Sequence, residues 1–226
     1  MYMATDSVTP LATAADMQEG PFRDLVSGYA PAQLNTLMIR ATRMCESVCD
    51  RRLAPFVNLS ESMRADALDV EDALDAYVPL DPTSQLGFSR ALSLGSTLLV
   101  RHFWVKHNPP LYPDLWTGSI ASITLYRSFS GVQLVAVNQI QFEADTGHVR
   151  FQLGTFVPPG TTIVTVYSGG YSTIPADLVQ ACKVMAASIA VRELDPIQAG
   201  SHDPDLLRMD AEMMLDPYMR DTVKIK

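Results

Sequence analysis

The pattern that most limits what this chain can fold into is a pair of amphipathic helical stretches, far apart in sequence, with a long segment of two-residue period between them. From Pro31 to about Arg52, Leu34, Leu37, Met38, Ala41, Met44, Cys45 and Val48 recur at three- and four-residue steps, which places them along one helix face. Pro31 suits a first helical turn, and Pro55 bars continuation. A second helix is expected from Pro175 to Asp195-Pro196, with Leu178, Val179, Cys182, Met185, Ala186, Ile189 and Ala190 on its buried face. Asp177 falls where a negative charge meets the positive end of that helix dipole. Two single-faced helices need each other, or a neighbouring subunit, to bury those faces.

The segment between them reads as a β-meander. Ile123 and Leu125 begin it, and Val132 to Val137 follow the turn at Ser130-Gly131. Ile140, Phe142 and Ala144 alternate with polar residues, Asp145-Thr146-Gly147-His148 turns the chain, and Val149, Phe151 and Leu153 alternate on the way back, so this pair is a hairpin. After Pro158-Pro159-Gly160 comes the β-branched run Thr161 to Tyr167. Ser168-Gly169-Gly170-Tyr171 then supplies the freedom for a sharp reversal out of the sheet. Phe103, Trp104 and Val105 favour a strand, and Ser60 to Tyr77 reads as a helix capped by Ser60. The fold expected is α+β: a small bundle of long helices with an inserted antiparallel β region and extended terminal arms. Its parts are a flexible N-terminal arm (1–20), a helical core (21–80 and 172–196), the β region (98–171) and a C-terminal tail (197–226) holding one short helix from Asp205 to Leu215.

The chain has 226 residues and a formal charge of −8, from 17 basic and 25 acidic side chains, with a pI near 4.9. Broad nucleic-acid binding is a poor fit to that balance, because phosphates reward clustered Lys and Arg. An acidic protein can still stand beside DNA without gripping it. Cys45, Cys49 and Cys182 make no disulfide framework, and buried reduced thiols are expected, in keeping with a reducing cytoplasm. The first residues carry no basic and apolar signal pattern, and no run approaches the 18 apolar residues of a membrane span.

A search for chemistry finds little. His102, His107, His148 and His202 are scattered, and no spacing among them suits a metal. Asp66, Asp69, Glu71, Asp72 and Asp75 could hold a divalent cation for a metal-dependent hydrolase, but a solvated helix face is the simpler reading. The Gly169-Gly170 junction lacks both phosphate-loop patterns, and no glycine-flanked nucleophilic serine appears. Cys49, beside Asp50 and Arg51, suits a core thiol better than an activated one. Phe103, Trp104, Tyr112 and Trp116 could line a sugar or peptide site, though packing is the commoner use of such rings. No catalytic residue, cofactor or metal is expected.

Two stretches carry a resemblance. Ala41-Thr42-Arg43-Met44-Cys45-Glu46-Ser47-Val48-Cys49-Asp50-Arg51-Arg52-Leu53, and Val164-Thr165-Val166-Tyr167-Ser168-Gly169-Gly170-Tyr171 with Ile174-Pro175-Ala176-Asp177-Leu178-Val179-Gln180-Ala181, resemble the head–tail connector (adaptor) family of long-tailed double-stranded DNA phages and gene-transfer particles. The first looks like that family's long helix and its Cys/Arg ending, with Val48 where an aromatic is usual. The second is similar to its strand, Tyr-x-x-Gly-Tyr turn and Pro-led Gln-Ala helix, which makes Tyr167, Gly169, Gly170, Tyr171 and Pro175 a structural junction. The resemblance implies a virion protein of the neck, made in the host cytoplasm and assembled as a twelvefold ring. Its partners would be the portal protein, a tail or stopper protein, its own copies and the genome, which passes without sequence-specific binding; no membrane is involved. Another neck or tail-completion protein is the nearest alternative. Leu206, Leu207, Met209, Met213, Met214, Leu215 and Tyr218 are more apolar than an idle terminus needs, and the methionines suit an irregular groove. They are expected to dock on the portal or on a neighbouring subunit, with packing on their own subunit as the alternative.

Overall fold

Apolar spacing and proline placement form the first long helix as expected. The computed structural model describes residues 9–64, 102–108, 111–127, 131–152, 157, 161–193 and 202–219. Two short helices, α1 (Ala14–Gln18) and α2 (Arg23–Val26), precede α3 (Pro31–Cys49), which has Pro31 in its first turn. α3 ends where Asp50 turns left-handed, at φ 50°, and sends its N–H back to the carbonyls of Glu46 and Ser47. Leu34, Leu37, Met38, Ala41, Cys45 and Cys49 are buried on one face. Each large side chain among them contributes about 1.5–3 kcal/mol of apolar burial.

The second long helix, α4 (Ala176–Glu193), differs from the single-faced helix expected. It is buried on nearly every side, because α3 packs on one flank and a further helix, α5 (Pro204–Leu215), on another. Ala181, Ala186, Ala187, Ser188 and Ala190 keep α4 slim enough for such close neighbours. The Ser188 hydroxyl donates to the Pro204 carbonyl at 2.8 Å, tying α4 to the start of α5. Asp203 caps α5 by accepting the Asp205 N–H at 2.8 Å.

Residues 9–20 do not form a loose arm. Leu11, Ala12 and Met17 are buried in the helical core, and the Leu11 N–H donates to Thr42 Oγ1 at 2.9 Å. A capping box starts α1: Thr13 Oγ1 accepts the Asp16 N–H, and the Asp16 carboxylate accepts the Thr13 N–H. The apolar residues of this stretch are too widely spaced for a helical period to show, which hid their burial.

Among the described residues, seven strands make two sheets. β1 (Phe56–Arg64), β3 (Trp116–Arg127), β4 (Gly131–Val135) and β7 (Thr162–Tyr171) form one, in the order β1-β7-β3-β4. β2 (His102–Trp104), β5 (Ile140–Glu143) and β6 (His148–Phe151) form the other, in the order β2-β6-β5. β5 and β6 are the expected hairpin, with Phe142 opposite Val149 and Ile140 opposite Phe151. The chain divides into a helical unit (residues 1–57, 107–117 and 169–226) and a β unit (58–106 and 118–168).

Three expectations are corrected here. Ser60 does not cap a helix: Phe56–Arg64 is a strand, in which Leu59, Glu61 and Met63 are half-buried and alternate with exposed Ser60, Ser62 and Arg64. Residues 58–64 accordingly belong with the β unit, and the Asp66–Asp75 run lies outside the described residues. β3 begins at Trp116, well before Ile123. The Gly169-Gly170 pair does not leave the sheet but ends β7 inside it. A Cβ on Gly169 would stand 2.9 Å from Phe56 Cζ and 3.2 Å from the Trp116 ring, so the glycine admits two aromatics. At Gly170 φ is +120°, and a Cβ would meet the backbone of Ala54 and Pro55 at 2.5–2.7 Å.

Gly170→Ala is therefore expected to lower stability by about 2–4 kcal/mol, since strain and backbone overlap act together. Gly28→Ala, with nothing within 4 Å of the new carbon, should change it by no more than about 0.5 kcal/mol. Thermal melts of the two variants check this.

Candidate functional site

The structural junction is built around one carboxylate that sequence reasoning passed over. Glu46 lies in the last turns of α3 and is only 6% exposed. Its Oε1 accepts the backbone N–H groups of Leu53 (3.0 Å) and Ala54 (3.2 Å), and its Oε2 accepts Arg52 Nη1 at 3.2 Å. Arg43 stands 3.6 Å away. The available signal was an acid on the apolar face of a helix, followed within one turn and a half by two arginines. Arg51 is buried too and donates to the Asn108 carbonyl at 3.0 Å, while the Arg52 N–H donates to His107 Nδ1 at 2.9 Å. This set of bonds fixes how the chain leaves α3 and where residues 107–108 return to the helical unit.

Beside it stands an aromatic column. Trp116 meets Tyr171 edge-on at 5.1 Å, and Tyr171 meets Tyr218 edge-on at 6.5 Å. The Tyr171 hydroxyl donates to the Leu111 carbonyl at 2.7 Å, and its backbone N–H donates to the Leu53 carbonyl at 3.2 Å. Burial pushes the Tyr171 phenol up to about 12. The Tyr218 hydroxyl donates to Asp177 Oδ2 at 2.6 Å, and burial together with that carboxylate holds its phenol well above the ordinary tyrosine value. Tyr167 belongs to the β unit, where its hydroxyl donates to Glu61 Oε2 at 2.8 Å.

The structure splits the residues expected to dock. Leu215 and Tyr218 are wholly buried in the chain's own helical core, and Leu207 packs against it, so these three are anchors of α5 and not docking residues. Leu206, Met209 and Met213 project from the opposite side of α5, exposed at 55%, 52% and 63%, and Met214 is exposed beside them. Asp210 lies on that side as well, while Asp205 is paired with Arg192 and Glu212 with Arg208. The outer face of α5 is thus an apolar stripe with acidic surroundings.

The groups considered for catalysis that lie among the described residues are not brought together. Among the described residues no group of three or more His, Cys, Asp and Glu side chains is arranged to hold a metal ion. His148 stacks on Trp104 at 4.8 Å, with Glu143 3.7 Å away, and His107 serves the Arg52 turn. Burial pushes the Cys49 thiol up to about 12, which is the reverse of an activated nucleophile. All three thiols are free and buried. Cys45 is held far up by its hydrogen bond to Cys182 and by burial, and Thr42 Oγ1 lies 3.6 Å from Cys182. Phe103 is packed against Phe151 in the β unit, and Trp116 is buried in the helical unit. An open groove of about 670 Å³ beside α2 is lined by Asp24, Tyr29, Gln33 and Glu193, and Glu193 is already engaged by Arg40 and the Tyr29 hydroxyl. No described helix is long and apolar enough to cross a membrane.

No protein-family model matches the chain, and no curated protein matches it significantly. Solved structures do. A chain from the neck of an empty gene-transfer-agent particle, computed with C6 symmetry, aligns at 15% identity over 94% of this chain and 91% of its own, with a TM-score of 0.51. A chain from the neck of the native particle, computed with C12 symmetry, aligns at 14% identity over 94% of both, with a TM-score of 0.46. The first establishes that the mixed α+β fold described above is one found in a particle neck.

Glu46→Ala should cost about 3–5 kcal/mol in urea unfolding, because it strands two backbone donors and a partly buried Arg52. Glu46→Gln, which keeps one acceptor oxygen, should cost less. Tyr218→Phe should lose about 1.5–3 kcal/mol at neutral pH, the worth of a hydrogen bond to a charged group. The fold holds the neutral phenol, so the contribution is full below the unfolded tyrosine value of 10.0 and declines as pH rises through and above it. The variant should flatten that alkaline decline, as read from unfolding midpoints between pH 8 and pH 11, roughly spanning the tyrosine range.

Proposed function

We propose that this chain is a structural subunit of a phage-like particle, a head–tail connector that closes into a twelvefold ring beneath the portal. The observation that carries this reading is the likeness of its fold to a neck chain over nearly the whole length of both. The strand–turn–helix segment from Val164 to Ala181, which resembles the connector family, supports it independently of that alignment.

In this reading the outer face of α5 is the docking element, through Leu206, Met209, Met213 and Met214, toward the portal or a neighbouring copy. Unbranched thioether side chains fit an uneven groove with little steric demand. The net charge of −8 serves the channel: where acidic groups line the lumen, they repel the phosphate backbone and let the genome pass without sticking. A tail or stopper protein would meet the far side of the ring.

Met209→Lys with Met213→Lys puts two charges into the stripe without touching the core, so stability should stay within about 0.5 kcal/mol of the parent per site. Negative-stain images of the parent chain mixed with portal should show rings on the portal face, and the double variant should show none. Undiminished rings from the variant would remove α5 from the interface. Binding to tail assemblies and not to portal would favour a tail-completion protein instead.

A further inference from the structure

Three hydrogen-bond donors converge on one buried sulfur in the helical unit. Cys182 lies where α4 packs against α3, and its side chain is wholly buried. The thiol of Cys45, from α3, is hydrogen-bonded to it. Thr42, one turn earlier on the same face of α3, takes the Leu11 N–H at 2.9 Å, which leaves its own hydroxyl proton for Cys182 Sγ, 3.6 Å away. The Ala12 N–H is the third donor. Donors of this kind favour a thiolate: the Cys45 bond above all, with Thr42 and Ala12, holds the Cys182 thiol below its ordinary value although burial opposes it. Cys45 is shifted the other way, as the member of the pair that keeps its proton. Cys49, one turn further along α3, is engaged elsewhere, with its Sγ 4.0 Å from the Leu215 carbonyl of α5.

We propose that Cys45 and Cys182 are a latent disulfide, closed by hydrogen peroxide, that locks α3 to α4. The Cys182 thiolate attacks one peroxide oxygen and the O–O bond breaks, giving a sulfenic acid at Cys182 and a hydroxide that takes up a proton. Cys45 then attacks the sulfenic sulfur. The S–S bond forms, the S–O bond breaks, and the oxygen leaves as water with the Cys45 proton. In sum two thiols lose two hydrogens, and one peroxide becomes two waters. Leu11 and Ala12, which lie against Thr42 and Cys182, belong to the non-helical stretch before α1. Such stretches open locally at lower cost than the core, which admits a molecule as small as peroxide. The link joins two helices far apart in sequence, so it restricts the unfolded chain and stabilises the helical unit. A bond between Cys45 and Cys49 would join neighbouring turns of one helix and lock nothing. A reducing cytosol keeps the pair open, and oxidising surroundings outside the cell close it. That timing rests on the connector reading, in which the subunit is made in a cell and works in a released particle; the pair itself does not.

The test uses the full chain, purified in reductant, freed of it and treated with dilute hydrogen peroxide. The protein is then unfolded with an alkylating agent present and weighed by mass spectrometry. The expected result is one alkylated thiol instead of three, a loss of about 2 Da for the two hydrogens, and a reductant-sensitive link between the peptides that hold Cys45 and Cys182. The melting midpoint should rise by roughly 5–10 °C and fall back when reductant is added. Cys45→Ala, treated alike, should show neither the link nor the rise. Three alkylated thiols, a link from Cys49, or a link between two chains would each overturn the proposal. So would a Cys45–Cys182 link that leaves the midpoint unmoved, or a rise in the Cys45→Ala variant. Because the chain is tested alone, failure here leaves the connector reading standing, and failure of rings to form on portal leaves the thiol pair standing.

Discussion

The Glu46 carboxylate holds the backbone of Leu53 and Ala54 against the end of α3, and the geometry of the helical unit follows from that grip. With the turn pinned, Pro55 and Ala54 lie flat enough against β7 that only glycine fits at position 170. Tyr171 then donates its N–H to Leu53 and its hydroxyl to Leu111, and meets Trp116 and Tyr218 edge-on. Tyr218 carries the constraint onward to Asp177 at the start of α4. A buried carboxylate is costly unless its lone pairs are met, and here they are met by backbone donors and arginine. The same bonds that satisfy it specify the chain path.

The helices were the part of the fold most visible in the amino-acid pattern, because α3 repeats its apolar residues over five turns and has proline at one end and just beyond the other. The hairpin of β5 and β6 was equally visible through strict alternation around Asp145-Thr146-Gly147. What was hidden depends on distant partners. Ser60 reads as a cap until β1 is seen to be a strand of a sheet, and the Gly169-Gly170 pair reads as a flexible turn until the Phe56 and Trp116 rings and the Ala54–Pro55 backbone are found against it. Leu215 and Tyr218 look like spare apolar residues of a tail, yet burial under α5 accounts for them. Only Leu206, Met209, Met213 and Met214 remain on the outside. Leu11 and Met17 gave no local sign of their burial, since Thr42 on α3 is what draws that segment in.

Among the described residues, Cys49, His107 and Glu46 are engaged in holding the fold, and the outer stripe of α5 stands out as apolar and exposed.

The central claim is that this fold works as one of many copies in the neck of a particle. The most direct measurement is a cryo-electron microscopy reconstruction of the head–tail joint in particles produced from a genome encoding the chain. The account predicts a closed ring directly below the portal, with density for the α3–α4–α5 packing and both sheets in each repeat. Density for this fold elsewhere in the particle, or a joint in which it is absent, would contradict it.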